Sequence, residues 1–155
     1  MLSFPKTLFM KKYLFLLLLL PGVQLAQAQE KAASPIVKQK WHFGSTQDTT
    51  WGYAQVVKVE NVLYLSGTVS LNLTAEGVKG LYTQLEKTLQ QFGAGFQHVV
   101  KENLYTLDLD AMKALNYVRK PFYKGDYPAA TWVQVSRLFT PETKLEVELV
   151  AYLPK

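Results

Sequence analysis

The chain has 155 residues, no cysteine, two histidines and a formal net charge of +5, with 48% hydrophobic and 13% aromatic residues. This length fits one ordinary globular domain, and the apolar content is too high for a disordered chain. The absence of cysteine from the sequence excludes a disulfide scaffold, a thiolate zinc site and a cysteine nucleophile.

The first 28 residues have the order of a secretory signal peptide. Three lysines come first, an apolar run at 13–20 ends at Pro21, and small residues lead up to Ala28. A membrane anchor needs about 20 apolar residues in one run. We therefore predict cleavage after Ala28, a secreted or periplasmic product and no stable membrane insertion afterwards. An uncleaved, membrane-tethering leader is the alternative.

Cleavage of the leader would lower the net charge of the chain. The leader contains three lysines and no acidic residue, so its removal leaves 127 residues with a charge of about +2. The remaining lysines are scattered, and Arg119 and Arg137 are the only arginines in the sequence. No run of cations could follow a phosphate backbone, so we expect no nucleic-acid partner.

The first half of the mature sequence predicts a tail, a hairpin and a helix. Residues 29–40 are polar and predict a flexible tail, followed by one domain over 41–155. Two β-rich runs at 53–60 and 62–66 flank a tight turn at Glu60 and Asn61. After a loop, an apolar stripe predicts a helix that ends at Gly93. The stripe consists of Val78, Leu81, Leu85, Leu89 and Phe92.

The second half continues with a strand, a helix and two strands. A strand at 98–107 precedes Asp108 or Asp110, either of which can cap a second helix. Pro121 lies near the end of that helix and predicts a kink or an early stop. The last two strands are predicted at 131–138 and 144–153, the second with alternating apolar residues.

This order of elements predicts an α+β fold in which two helices cover one face of a single sheet. By strand parity, Trp132 and Tyr152 lie on the other face. Such a face is too apolar to remain in water, so we expect it to be buried in an oligomer.

Few residues offer catalytic chemistry by their spacing alone. His42 and His98 are far apart and lie in no metal-binding motif, so we expect no metal. Gly93 and Gly95 follow a helix where a dinucleotide fingerprint follows a strand, so we expect no cofactor. Glu146 and Glu148 lie two apart and point to one sheet face. They either pair with a lysine or Arg137 across a subunit boundary or supply a general base in an inter-subunit cleft.

Several segments, in order, resemble the RidA/YjgF (Rid) family from about residue 41 to residue 153. These segments are GYAQ at 52–55, LYLSG at 63–67, FGAG at 92–95, HVVK at 98–101, YPA at 127–129 and KLEVELVA at 144–151. The resemblance implies a chorismate-mutase-like fold and a homotrimer with a central barrel. It also implies small-molecule ligand sites in the clefts between subunits, where archetypal members hydrolyse 2-imino acids to 2-oxo acids and ammonia.

The same resemblance implies a set of site residues. Tyr53, Gly67 and Asn116 match ligand-site positions, and Glu146 matches the glutamate that positions water. Ala130 stands where archetypal members carry the arginine that holds the substrate carboxylate. Trp132 stands where they carry a small pocket residue. Arg137 offers no substitute, being seven residues beyond Ala130 and on the opposite strand face by parity.

Three functions remain open on this basis. The first is an exported trimer that binds a small ligand between subunits, with any deaminase-type hydrolysis directed at a substrate other than a simple 2-imino acid. The second is a 2-iminobutanoate/2-iminopropanoate-type deaminase that anchors its substrate by backbone groups or Lys101. The third is a non-catalytic structural or protein-binding trimer, in which Tyr53, Asn116 and Glu146 have structural roles.

Overall fold

The computed structural model describes residues 34–44, 46 and 50–154. The predicted signal peptide lies outside the described residues. A compact unit begins at Pro35 and is built on one six-stranded sheet. Among the described residues, no helix is both long and apolar enough to cross a membrane.

The sheet has the order β1-β2-β3-β6-β4-β5, and every neighbouring pair is antiparallel except β4 and β5, which run parallel. The strands are β1 Gln39–Trp41, β2 Val56–Val59, β3 Val62–Ser70, β4 Val99–Thr106, β5 Ala129–Gln134 and β6 Leu145–Tyr152. The helices are α1 Ala75–Gln90, α2 Leu109–Ala114 and α3 Asn116–Tyr123, and a 3-10 turn at Phe96–His98 precedes β4. Strand β1 thus includes Gln39 and Lys40, the last two residues of the predicted tail.

The hairpin predicted at Glu60 and Asn61 is confirmed, and Glu60 adopts the positive φ of 52° that such a turn requires. The predicted end of the second strand at Ser66 is wrong, because β3 continues to Ser70. The register shifts between Leu65 and Thr68, which marks a β-bulge. Glycine in a strand commonly accompanies a bulge, so Gly67 bends the strand and does not end it.

Helix α1 forms as its apolar stripe predicts, but it ends at Gln90, so Phe92 lies beyond it. The side chain of Thr74 accepts a hydrogen bond from the Gly77 amide at 3.2 Å and caps the N-terminus. Val78, Leu81, Leu85 and Leu89 are buried in the core. Gly93, just after the helix, has the φ of +67° that favours glycine at this position.

The second predicted helix is divided into α2 and α3 at Leu115. Asp108 caps α2 as predicted, accepting a hydrogen bond from the Ala111 amide at 2.9 Å. The expected early stop at Pro121 is wrong, because α3 continues through Pro121 to Tyr123. The kink at Pro121 stays a prediction. The carbonyl that loses its donor belongs to Tyr117, an exposed residue, and water can satisfy that carbonyl.

The two faces of the sheet differ as predicted. Alternate residues of β6 are buried on the helix-covered face, while Tyr152 is half-exposed on the other, uncovered face. The expectation that Trp132 shares the uncovered face is wrong. Strand β5 is parallel to β4 with Trp132 beside the buried Leu104, so both side chains lie on the helix-covered face. Strand β5 also ends at Gln134, which leaves Arg137 outside it.

Candidate functional site

Glu146 lies on the uncovered face, between Val69 of β3 and Tyr105 of β4. Its side chain runs directly over the backbone of Gly67. A Cβ atom at Gly67 would lie 2.7 Å from Cδ of Glu146 and 2.8 Å from its Cγ, in addition to overlapping Oε1. The structure therefore brings together two residues of the predicted site, and glycine at 67 leaves the space that the carboxylate occupies.

Glu148, two residues further along β6, is held by neutral donors. Its Oε1 accepts hydrogen bonds from Asn103 Nδ2 at 2.7 Å and from the Tyr105 hydroxyl at 3.1 Å. Burial raises the pKa of Glu146, and the neighbouring charge of Glu148 raises that pKa further. Burial and Glu148 likewise raise the pKa of Tyr105. The pair is arranged so that Glu146 takes up a proton more readily than an ordinary glutamate.

Substituting Glu148→Gln should lower the pKa of Glu146 while leaving it above its ordinary value. The variant removes the charge but keeps an oxygen for Asn103 and Tyr105, and burial, the larger cause of the shift, remains. Carboxyl carbon shifts followed by NMR against pH measure this, with Glu86→Gln on α1 as the control. An unchanged pKa of Glu146 would show that the two carboxylates do not interact.

This shift also sets the direction of a stability change with pH. The folded protein binds a proton at Glu146 more tightly than the unfolded chain does. Glu146 therefore destabilises the fold progressively as pH rises from the ordinary glutamate pKa through the raised one. Below the ordinary pKa this contribution vanishes, because Glu146 is protonated in both states.

A depression of about 260 Å³ adjoins Glu148 on the uncovered face. Its polar groups include Lys101, whose Nζ donates a hydrogen bond to Thr131 Oγ1 at 2.7 Å. The remaining lining residues are Val57, Tyr64, Leu65, Ser66, Asn103, Leu149 and Val150. This mixture of one cation, one anion and apolar surface could take a small amphipathic molecule.

On the helix-covered face, strand β4 carries a buried carboxylate that sequence reasoning missed. Glu102 is fully buried, and its two oxygens accept hydrogen bonds from four side chains. The donors are Arg119 Nε at 2.9 Å and Nη2 at 2.9 Å, Trp132 Nε1 at 3.0 Å, the Tyr82 hydroxyl at 2.9 Å and the Tyr123 hydroxyl at 2.6 Å. We call these five residues the Glu102 cluster.

Arg119 of the Glu102 cluster is only 5% exposed. Its guanidinium carbon lies 4.6 Å from the ring centre of Tyr123 and 5.4 Å from that of Trp132. Burial lowers the pKa of Arg119, but the hydrogen bonds and charge of Glu102 outweigh it and raise that pKa. Burial and Glu102 both raise the pKa values of Tyr82 and Tyr123. Arg119 therefore stays cationic at neutral pH, and the hydroxyls of Tyr82 and Tyr123 stay protonated.

The predicted site residues fall into separate groups within the chain. Gly67 and Glu146 are together on the uncovered face, whereas Ala130 is beside Glu102 and Trp132 is bonded to it, on the helix-covered face. The structure does not bring these two pairs together, because the sheet lies between them.

The two other predicted residues, Tyr53 and Asn116, lie outside the sheet. Tyr53 precedes β2 and is 40% exposed. Asn116 is the first residue of α3, and its buried Oδ1 has no hydrogen-bond partner in the part of the chain that the structure describes. An unpartnered buried acceptor of this kind is a position where a ligand or a neighbouring chain could donate.

The histidines and acidic residues offer no metal centre among residues 34–44, 46 and 50–154, where no group of three or more ligating side chains comes together. His98 has a local structural role, since its Nδ1 accepts a hydrogen bond from the Gly95 amide at 3.0 Å. That bond stabilises the turn that leads into β4.

The family model described as "Endoribonuclease L-PSP" matches residues 44–153. This chain belongs to that family, the RidA/YjgF family. The relatives include a 2-iminobutanoate/2-iminopropanoate deaminase of Dermatophagoides farinae, 30% identical over 65% of this chain and 85% of its own length. The human protein of the same description is 27% identical over 64% of this chain and 78% of its own.

Solved RidA/YjgF-family structures share the fold described above. A YjgF/YER057c/UK114-family protein from Mycobacterium tuberculosis superposes with a TM-score of 0.69 at 23% identity, covering 76% of this chain and all of its own. A YjgF-family protein from Neisseria meningitidis gives a TM-score of 0.65 at 24% identity, covering 77% of this chain and 98% of its own. The predicted family and the predicted fold, one sheet with helices on one face, are both confirmed.

Proposed function

We propose that this RidA/YjgF-family protein is an exported trimer that binds a small ligand between its subunits. Any deaminase-type hydrolysis acts on a substrate other than a simple 2-imino acid. The observation that carries the proposal is Ala130, which stands where the archetypal anchor arginine is expected. Alanine supplies neither a charge nor the paired donors that hold a carboxylate.

The nearby Arg119 does not replace that anchor. Its Nε and Nη2 atoms both bond Glu102, and its guanidinium is buried against aromatic rings. To reach Arg119, a ligand carboxylate would have to displace the fully buried carboxylate of Glu102. Breaking a buried ion pair of this kind costs about 3–5 kcal/mol. Arg137 lies beyond the end of β5 and is exposed.

Two features support an inter-subunit site. Glu146 and Ala130 lie on opposite faces of the sheet, so a cleft that uses both needs a second chain. The uncovered face also exposes large apolar side chains, which a neighbouring subunit would bury. These are Tyr64, Val69, Val133 and Tyr152. The trimeric state itself comes from the family resemblance.

Export is supported by the order of charge, apolar run and small residues in the first 28 positions. The N-terminal residue of the protein purified from its native source, read by mass spectrometry, tests this part. A mature chain that starts at Gln29 supports it, and a chain that retains the leader contradicts it.

A second candidate is a deaminase of simple 2-imino acids, which the described activity of the Dermatophagoides farinae and human relatives favours. In that case Glu146 positions the water molecule. Lys101, on the uncovered face, supplies the cation that binds the substrate carboxylate. Lys101 presents a single rotatable ammonium group, so it would hold the carboxylate less specifically than a planar guanidinium.

An assay with freshly generated 2-imino acids separates the two candidates. An amino-acid oxidase supplies the 2-imino acid, and ammonia release is followed with and without the purified protein. We expect the protein to raise the rate of ammonia release by less than about tenfold over buffer. A deaminase that anchors its substrate and supplies a general base should raise that rate at least about a hundredfold. Glu146→Gln is the control.

A large gain that Glu146→Gln abolishes would overturn the proposal in favour of the second candidate. Sedimentation of the same sample should give three times the protomer mass. A monomer would remove the inter-subunit cleft altogether.

A further inference from the structure

The depression on the uncovered face has an apolar strip that ends at a cation. The strand register places four of its residues side by side across the sheet: Val57 beside Tyr64, Tyr64 beside Val150, and Val150 beside Lys101. Residues in register on neighbouring strands share a sheet face. The side chains of Val57, Tyr64 and Val150 therefore form one apolar strip, and Lys101 stands at its end.

Next to this strip, Glu148 has one carboxylate oxygen without a partner. Its Oε1 accepts hydrogen bonds from Asn103 at 2.7 Å and from Tyr105 at 3.1 Å. Its Oε2 has no hydrogen-bond partner in the part of the chain that the structure describes. Because Glu148 lines the depression, this oxygen can accept a hydrogen bond from a bound molecule.

Lys101 also keeps donors for a ligand. Its ammonium group has three N–H donors, of which one is used on Thr131 Oγ1 at 2.7 Å. Lys101 is the diagonal neighbour of Glu148, since Glu148 is in register with Asn103, two residues along β4. Long side chains reach across that spacing of about 7–8 Å, yet among the described residues no ion pair joins these two. Two opposite charges thus line one depression without neutralising each other.

We infer that the depression binds a small zwitterion with an aliphatic body, such as a free 2-amino acid with an aliphatic side chain. Its carboxylate bonds Nζ of Lys101, its ammonium group bonds Oε2 of Glu148, and its side chain covers the apolar strip. The volume of about 260 Å³ lies just below the roughly 300 Å³ at which sites for drug-sized ligands begin, which suits a molecule of this size. A molecule with a single charge would strip water from the other charged residue without replacing it, which favours the zwitterion.

This site goes beyond the proposed function. Every residue that lines the depression belongs to one chain, so the site does not need the inter-subunit cleft. In the proposed trimer, a neighbouring subunit on the uncovered face would enclose the bound molecule without having to supply a charge to it.

Leucine and two analogues test the ligand class. The analogue 4-methylpentanoate is leucine without its ammonium group, and 3-methylbutylamine is leucine without its carboxylate. Each is titrated into the ¹⁵N-labelled protein, and binding is followed at the side-chain amide of Asn103 and the backbone amides of 101 and 148–150. We expect leucine to bind here at least about tenfold more tightly than either analogue. If either analogue binds as tightly as leucine, or if leucine leaves these signals unchanged, the inference is overturned.

Two variants test the residues that hold each charge. Lys101→Gln should weaken leucine binding at least about tenfold without weakening that of 3-methylbutylamine. Glu148→Gln, which keeps an oxygen for Asn103 and Tyr105, should weaken leucine binding at least about tenfold without weakening that of 4-methylpentanoate.

A control variant and a contrary outcome complete this test. Lys79→Gln, at an exposed position of α1, should leave the affinity for leucine within about twofold. If Lys101→Gln weakens 3-methylbutylamine as much as leucine, the inference is overturned, because damage to the depression and not loss of one charge would explain the result.

These outcomes are separate from those that test the proposed function. A monomer that binds leucine through Lys101 and Glu148 would contradict the proposed trimer and support the inference. A trimer that does not bind leucine at these residues would overturn the inference alone.

Discussion

Replacing Arg119 with methionine should lower the free energy of unfolding by about 3–5 kcal/mol, the range found when one partner of a buried ion pair is removed. Glu102 is fully buried and would be left with only the hydroxyls of Tyr82 and Tyr123 and the indole of Trp132 as donors. Urea or thermal unfolding of the purified variant measures the loss.

Two further variants show whether the lost pair is the cause. Arg137→Met removes an exposed arginine and should change the free energy of unfolding by less than about 0.5 kcal/mol. Adding Glu102→Gln to Arg119→Met removes the unpaired charge, so the double variant should be more stable than Arg119→Met alone. If the double variant is less stable, the uncompensated charge of Glu102 does not explain the loss.

Replacing Gly67 with alanine should lower the free energy of unfolding by about 1–3 kcal/mol, as expected for overpacking. The new methyl group would occupy the position of the Glu146 side chain, which has to leave its place on the uncovered face. Urea unfolding measures the cost, and the carboxyl shift of Glu146 in NMR spectra reports its displacement.

A matched control is available in α1. A methyl group added at Gly80 would meet no atom within 4 Å, so Gly80→Ala should raise the stability by up to about 1 kcal/mol through helix propensity. In a Glu146→Ala background, Gly67→Ala should cost much less than in the native chain. An equal cost in both backgrounds would contradict a clash with Glu146.

Elements that depend on local pattern were predictable from the sequence. The apolar stripe of α1, the Asp108 cap and the alternation of β6 each need only residues within a few positions of one another. The division of the second helix at Leu115 was not predictable, because the residues around it fit one continuous helical stripe.

The candidate site was predictable only in part. Gly67 and Glu146 are matched by the family resemblance, and the structure brings them into contact. The Glu102 cluster had no sequence signal beyond a carboxylate on an alternating strand, since Arg119 lies 17 residues away and Trp132 lies 30 away. A buried pair of this kind depends on how α3 and β5 pack against β4.

The sequence by itself determined the family, the fold class and the absence of an arginine at position 130, because each of these is a property of residue identity and local order. Only the tertiary structure decided which face Trp132 occupies and where the Arg119 charge goes. Strand β5 reaches its place through a parallel pairing with β4, and its side-chain direction follows from that register. That register also places Ala130 beside a carboxylate already occupied by its own guanidinium.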